Sequence, residues 1–180
     1  MIYMFLANGF EETEALAPLD LLIRAGADIK TVAVGCDGKS VVGAHGIKVE
    51  ADIGEDEAVY ENIDMVILPG GMPGATNLDE SDTVEKMLAY ASDNGAYLAA
   101  ICAAPMILGK RGHLVGKRAT CYPGFEEYLL GALTTPEKVV RDGKVITAVG
   151  MGAALEFGLV LIEALFGKEA AEKIKTSTKI

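Results

Sequence analysis

A chain of 180 residues, 51% of them hydrophobic, is long enough to bury one extensive core, and a single domain over residues 1–180 is expected. Its formal net charge of −10 repels phosphate backbones and anionic membranes, so nucleic acid is not expected as a partner. The three cysteines are an odd number in a chain with a full-sized core, which favours free thiols and a cytoplasmic location over a disulfide scaffold.

Two apolar stretches are candidates for targeting or membrane segments. The first residues, MIYMFLAN, lack the basic residues and the cleavage site of a signal peptide, so they are predicted to form a buried strand. The stretch 96–108 is too short to span a bilayer and contains Pro105. No membrane association is therefore expected. No Cys or His pair has the spacing of a zinc site either, so no metal is expected.

Short β-branched or apolar runs alternate with segments of helical period along the whole chain, which is typical of an α/β protein with a doubly wound, mainly parallel sheet and helices on both faces. In chain order, we predict a strand at 2–7, a helix at about 12–25, a strand at 29–34, an antiparallel ribbon within 41–52, a strand at 65–68, a helix from 82 to about 95, a strand at 97–101, a short helix from about 103, a strand around 119–121, a hairpin at 139–148, and helices at 153–166 and 168–174.

Three segments follow predicted strands: GFEETE, PGGMPG and AICAAP. In open α/β sheets, ligands bind outside the carboxyl ends of the strands, so these segments are expected to meet there. Cys102 lies where a buried strand gives way to a helix, and a thiol at a helix N-terminus is favoured as the reactive thiolate. The alternative is that Cys102 is a small buried hydrophobic residue without a chemical role.

Acidic residues cluster in the first turn of the first predicted helix. Such residues complement the helix dipole, and this interpretation fits Glu11 and Glu12. Glu14 has a second possible role, because a desolvated carboxylic acid that turned inward against the thiol would keep its proton and shuttle it. The sequence leaves both roles for Glu14 open.

The strings GFEETEALAPLDLLIRAG, VILPGGMPGATNL, AAICAAPMIL, KRATCYPGFEEYL and FGLVLIEALFG together resemble the ThiJ/PfpI family, in particular the branch that contains the parkinsonism-associated deglycase. The resemblance extends over essentially the whole chain and implies a flavodoxin-like fold. It also implies that Cys102 is the reactive cysteine of a nucleophile elbow and that Glu14 is its protonated glutamate. The backbone amides of Gly71 and Ala103 fall on the family's oxyanion pocket.

The chain departs from the family pattern at Tyr122, where the family often has a histidine before a proline. A phenol is a poor general base at neutral pH, so Cys102 and Glu14 are the expected minimal pair, with Tyr122, Gly70 and His45 as pocket residues. His45 is alternatively a solvated residue of the ribbon turn. Ala103, directly after the cysteine, argues against the peptidase-like branch, which has a histidine there.

The resemblance implies a cofactor-free enzyme that acts on small reactive aldehydes such as methylglyoxal, either as a glyoxalase III-like lyase or as a deglycase, which is a hydrolase. The missing histidine predicts a low rate. The alternative is a non-enzymatic sensor of oxidative stress, or a chaperone, that uses the same cysteine. A role in thiamine or thiazole metabolism ranks lower, because no phosphate-binding motif is present. The resemblance also implies a homodimer.

Overall fold

The computed structural model describes residues 1–180 and places strands and helices in alternation. The strands are β1 (Ile2–Ala7), β2 (Ile29–Val34), β3 (Ser40–Val42), β4 (Lys48–Glu50), β5 (Ile53–Gly54), β6 (Met65–Leu68), β7 (Tyr97–Ile101), β8 (Arg118–Ala119), β9 (Leu133–Thr134), β10 (Val139–Asp142) and β11 (Val145–Ala148). The helices are α1 (Glu12–Arg24), α2 (Gly74–Asp79), α3 (Asp82–Asp93), α4 (Pro105–Lys110), α5 (Ala154–Phe166) and α6 (Lys168–Thr178).

A seven-stranded sheet with the order β10-β11-β7-β6-β1-β2-β5 forms the centre of the fold. Every neighbouring pair is parallel except β10 and β11, which form the predicted antiparallel hairpin. β3 and β4 pair separately as an antiparallel ribbon. The prediction of a flavodoxin-like, doubly wound α/β fold is confirmed.

Side chains of β1 alternate between two hydrophobic cores, as the two-residue period of a strand requires. Met4 and its even-numbered neighbours pack with Phe157 under α1, α5 and α6, whereas Phe5 and its odd-numbered neighbours pack with Leu78 and Met87 under α2, α3 and α4. Because both faces are covered, the carboxyl ends of the strands are where a site can form. Functional groups at the carboxyl ends are therefore brought together.

The predicted elements agree closely with the structure, although α6 runs on to Thr178 instead of ending at 174 and the two-residue strands β5 and β9 were not predicted. Further differences lie near the site. The helix after Cys102 begins at Pro105 instead of about residue 103, and the strand expected at 119–121 occupies Arg118–Ala119. The glycine-rich segment after β6 is not all loop, because α2 begins at Gly74. No helix combines the length and the apolar character that crossing a bilayer requires.

Candidate active site

Cys102 directly follows β7 in a left-handed backbone conformation, with φ of 66°. This region is unfavourable for a residue with a Cβ, and the surrounding structure must hold it there. The Cys102 amide donates to the carbonyl oxygen of Ala148 at 2.9 Å, and its carbonyl oxygen accepts from the amide of Tyr122 at 2.8 Å. The two bonds fix the elbow on both sides and turn the side chain out of the strand.

Opposing influences act on the Cys102 thiol. Burial, the charge of Glu14 and a hydrogen bond to Glu14 raise its pKa to about 12, while hydrogen bonds from the amides of Gly71 and Ala103 act in the opposite direction. The prediction that a helix N-terminus lowers the pKa of this thiol is wrong, because α4 begins three residues later and burial dominates. Two amides nevertheless point at the sulfur.

Glu14 is turned inward and its side chain is almost completely buried, with 1% of the residue exposed. Its Oε2 accepts from the amide of Gly70 at 3.0 Å, and a second backbone bond comes from Met151. Burial raises the pKa of Glu14 to about 7, against the effect of its hydrogen bond with Cys102. Glu14 therefore differs from the solvated acids of a helix N-terminus.

Glu14 and Cys102 titrate as one unit, because each changes the charge that the other experiences. The pKa values of about 7 for Glu14 and about 12 for Cys102 mean that the pair keeps a single proton over the range between them. Amides of Gly71 and Ala103 favour the tautomer with the charge on sulfur, and amides of Gly70 and Met151 favour the carboxylate. One mobile proton beside a nucleophilic sulfur is what acid–base chemistry at a carbonyl carbon needs.

Gly70 lies between the two side chains. A Cβ added at this residue would lie 2.6 Å from the Cys102 Cβ and 2.6 Å from Glu14 Oε2. Such distances are far below van der Waals contact, so any side chain at this position would separate the pair. The missing side chain of Gly70 is therefore a geometric requirement of the Glu14–Cys102 hydrogen bond.

Glu12 is buried, with 4% of the residue exposed, which corrects its interpretation as a solvated residue at the helix N-terminus. Its carboxylate accepts from His45 Nδ1 at 2.7 Å and from the His45 and Ile47 amides at 2.8 and 3.3 Å. Burial raises the pKa of Glu12, but these hydrogen bonds prevail and bring it to about 2. The ribbon turn is thereby fixed to the first turn of α1.

His45 itself is exposed, and its pairing with Glu12 raises the pKa of the imidazole. Ligand atoms of Glu11, Glu12 and His45 lie within 4.8 Å of one another. All three already have partners in the protein, since the Glu11 carboxylate accepts from the amide of Glu14 at 2.6 Å and caps α1. We therefore assign no metal to this cluster.

Tyr122 covers the opposite side of the site and is 51% exposed. A Cβ on Gly150 would lie 3.3 Å from the Tyr122 ring and 3.8 Å from Glu14 Oε1, so the ring and the carboxyl group border the same space. Gly150 and Met151 also border the site, and no motif in the sequence indicated them. Their place next to Glu14 follows from the pairing of β11 with β7.

The other two cysteines are separate from this site. Cys36 lies in the turn after β2, where its Sγ donates to the carbonyl oxygen of Val34 at 3.3 Å. Cys121 is buried in the core under α2, α3 and α4, and burial raises the pKa of its thiol to about 11. Neither has a carboxyl partner comparable to Glu14.

The sequence matches the model of the DJ-1/PfpI family over residues 1–164. The chain belongs to this family. It is 41% identical over 170 residues to Protein DJ-1 homolog B of Arabidopsis thaliana, a match that covers 93% of the chain but only 39% of that protein. The chain thus spans about two fifths of the length of this relative.

Two further DJ-1/PfpI family matches cover nearly all of both partners. Glutathione-independent glyoxalase DJR-1.2 of Caenorhabditis elegans is 30% identical over 166 residues, which is 91% of this chain and 87% of that protein. The structure of oxidized Toxoplasma gondii DJ-1 superposes with a TM-score of 0.94 at 35% identity and covers 99% of this chain and 97% of that one. The family and the fold follow from these matches.

Proposed function

We propose that this protein is a cofactor-free enzyme that uses Cys102 to convert small 2-oxoaldehydes such as methylglyoxal into 2-hydroxy acids. The observation that carries the proposal is the juxtaposition of the buried Glu14 carboxyl group and the Cys102 thiol on either side of Gly70, because it supplies a nucleophile and an exchangeable proton at one place. The Caenorhabditis relative that is named a glutathione-independent glyoxalase supports the same reaction class.

The proposed reaction begins with a bond between the Cys102 sulfur and the aldehyde carbon. The aldehyde oxygen takes the proton held by Glu14 and gives a hemithioacetal, stabilised by the amides of Gly71 and Ala103. Glu14 then removes the proton from the former aldehyde carbon and returns it to the neighbouring carbonyl carbon. The hydroxyl proton of the hemithioacetal moves to the neighbouring carbonyl oxygen, so the former aldehyde carbon becomes the carbonyl carbon of a thioester. Water hydrolyses the resulting 2-hydroxy thioester, which releases the hydroxy acid and the thiol, and the net change is the addition of one water.

The direct test is a measurement of methylglyoxal consumption and lactate release without added thiol. The parent protein should turn over, and Cys102→Ser should lose at least about 100-fold in rate, because an alcohol is a far weaker nucleophile. Cys36→Ser and Cys121→Ser are matched controls that should retain the rate. Equal lactate production by the parent and by Cys102→Ser would exclude the proposal.

A deglycase reaction uses the same chemistry on an aldehyde already added to an amine or a thiol. It differs in that the carbon–nitrogen or carbon–sulfur bond of a preformed adduct must break at the enzyme. Supplying a purified methylglyoxal–cysteine hemithioacetal, with free methylglyoxal trapped in a parallel sample, separates the two activities. If no product forms when free methylglyoxal is trapped, the enzyme acts on the free aldehyde alone.

The second candidate is a redox sensor, and it is favoured by the solvent access of Cys102, which is partly exposed, and by the donors around it. A sulfinate there would accept from the amides of Gly71 and Ala103 and from a protonated Glu14. Mass spectrometry after mild peroxide treatment tests this idea. Uptake of oxygen by Cys36 or Cys121 before Cys102 would contradict it.

A homodimer is part of the proposal, because apolar side chains next to the site are exposed in the single chain. None of the five surface cavities is lined by Cys102 or Glu14, while Ile47 and Met151, whose amides bond Glu12 and Glu14, expose 54% and 55% of their surfaces. A second copy would cover such apolar side chains. We also propose a cytoplasmic location, in line with three free cysteines.

A further inference from the structure

A second candidate site lies at the opposite edge of the sheet from Cys102. A cavity of about 210 Å³ opens there beside Leu98 and Val145, near the amino ends of β7 and β11. Cys102, in contrast, follows the carboxyl end of β7. Ligands of the two sites would therefore not compete for space.

The cavity has an unusual charge for this protein. His113, Lys117 and Lys144 line it together with the hydroxyl-bearing Ser92, and no carboxylate does. Each of the other four cavities is lined by at least one Asp or Glu. In a chain with a net charge of −10, two lysines and a histidine around one cavity with no carboxylate in its wall make this region locally positive, although Asp93 lies near His113 outside the wall.

The two lysines have no anionic partner within the protein. Neither forms a salt bridge. Lys117 Nζ would lie 3.8 Å from a Cβ on Gly143, the residue before Lys144, and Lys144 Nζ lies 3.9 Å from the centre of the Tyr97 ring, which lines the adjoining cavity. Their hydrogen-bonding capacity remains available to a ligand.

The His113 side chain is also available for hydrogen bonding to a ligand. Burial and the nearby charge of Arg111 lower the pKa of this half-buried imidazole, while Asp93 acts in the opposite direction. The ring has no hydrogen-bond partner in the protein, so a ring N–H can donate to a ligand. The ring is partly solvated, so an anion can replace water as its hydrogen-bond partner.

A purely structural role for the lysines, as counter-charges to the carbonyl end of α3, is not supported by the hydrogen bonds. The carbonyl groups of Tyr90, Ala91 and Ser92 accept from the backbone amides of Asn94, Ala96 and Gly95 instead. The end of the helix is thus satisfied by backbone amides and by the Asn94 side chain, which also donates to the Tyr90 carbonyl oxygen at 2.8 Å.

We propose that His113, Lys117 and Lys144 bind a phosphate group, either as inorganic phosphate or as the head of a phosphomonoester. Two ammonium groups, an imidazole N–H and the Ser92 hydroxyl are the donors that a tetrahedral oxyanion accepts. An adjoining cavity of about 360 Å³, lined by Tyr97 and Leu165, shares Lys144 and has room for the organic part of a monoester.

NMR of the two histidines in the full chain tests this proposal. Titration with inorganic phosphate, and separately with phenyl phosphate, at constant ionic strength should shift the His113 resonances in a saturable way and raise the pKa of His113. His45 serves as an internal reference and should not move. Tighter binding of phenyl phosphate identifies a monoester site, and equal binding identifies a site for the free ion.

The variant Lys117→Gln/Lys144→Gln should weaken binding at least about tenfold, because two charge-assisted hydrogen bonds are lost. Lys86→Gln, on an exposed residue of α3 outside the cavity, should bind as the parent does. Lys117→Arg keeps the charge and should retain binding, which separates a lost donor from a disturbed fold. A phosphate titration that shifts no His113 resonance, or that is unchanged in the double variant, overturns the proposal.

Discussion

The carboxyl group of Glu14 and the side chain of Cys102 meet across the space that Gly70 leaves empty, and each shifts the pKa of the other. Glu14 comes from the first turn of α1 and Cys102 from the end of β7. The contact forms because β1, which leads into α1, and β7 both pair with β6 in the sheet. Burial has the largest effect on the pKa of both groups, and the interaction between them couples their titrations.

The pH dependence of catalysis should report this pair. We expect kcat/KM for methylglyoxal to rise with pH through about 7, the pKa to which burial raises Glu14, and then to level off, because the singly charged pair is the reactive form. In Glu14→Gln this inflection should disappear and the rate should fall. A stopped-flow or lactate assay over the pH range gives the profile, and an unchanged inflection in Glu14→Gln would contradict the assignment.

Glu14 should also make stability depend on pH. Its pKa rises from 4.5 in the unfolded chain to about 7 in the fold, so the fold binds the proton more tightly. The contribution of Glu14 to the free energy of unfolding is therefore largest below about pH 4.5, and it is lost as the pH rises through about 7. We expect the parent protein to lose roughly 2 kcal/mol of its free energy of unfolding between about pH 5 and pH 8, and Glu14→Gln to show no such loss. Urea unfolding at both pH values measures these free energies. The same change with pH in the parent and in the variant would refute the prediction.

Gly70→Ala should disrupt the pair sterically. The new Cβ would lie 2.6 Å from both Cys102 Cβ and Glu14 Oε2, so we expect activity to fall by at least about tenfold, in line with the sensitivity of catalysis to displacements of about 1 Å. Gly152→Ala is the matched control, because a Cβ there has no neighbour within 4 Å. Kinetics for the two variants should differ, and a fully active Gly70→Ala would show that the contact is dispensable.

Glu12 should control the protonation of His45. In Glu12→Gln the carboxylate charge that raises the pKa of His45 is lost, so the imidazole should titrate at lower pH. Glu12→Ala should in addition destabilise the fold by about 1–3 kcal/mol, because the His45 and Ile47 amides lose their acceptor. NMR titration and thermal unfolding measure these effects, with Glu50→Gln on β4 as the control. An unmoved His45 titration would contradict the pairing.

Tyr122→His should restore the histidine that the resemblance to the family implies at this position. An imidazole that borders Glu14 from the side of Gly150 can act as a general base near neutral pH, so we expect kcat to rise by about tenfold or more. Tyr122→Phe keeps the ring and removes the hydroxyl, and it should retain the parent rate. A histidine variant no faster than the parent would show that proton transfer by Glu14 is sufficient.

Much of the fold was predictable from the sequence. The bounds of β1, β2, β6 and β7 agree with the predicted runs. β1 and β6 are buried at every residue, and a strand buried on both faces must be continuously apolar over its length. The short helix α2 was missed, since six residues rich in glycine and polar side chains carry no helical period. Cys102 was recognised as a candidate because it stands where a buried strand stops.

The sequence by itself determined the order of the elements, the doubly wound sheet and the meeting of Cys102 with the first turn of α1 at one edge, because these follow from local patterns of apolar residues. Only the tertiary structure decided that Glu14 faces the thiol while Glu12 faces His45, and that burial raises the pKa of Cys102. Burial and hydrogen-bond partners come from residues far apart in the chain, so a motif does not contain them.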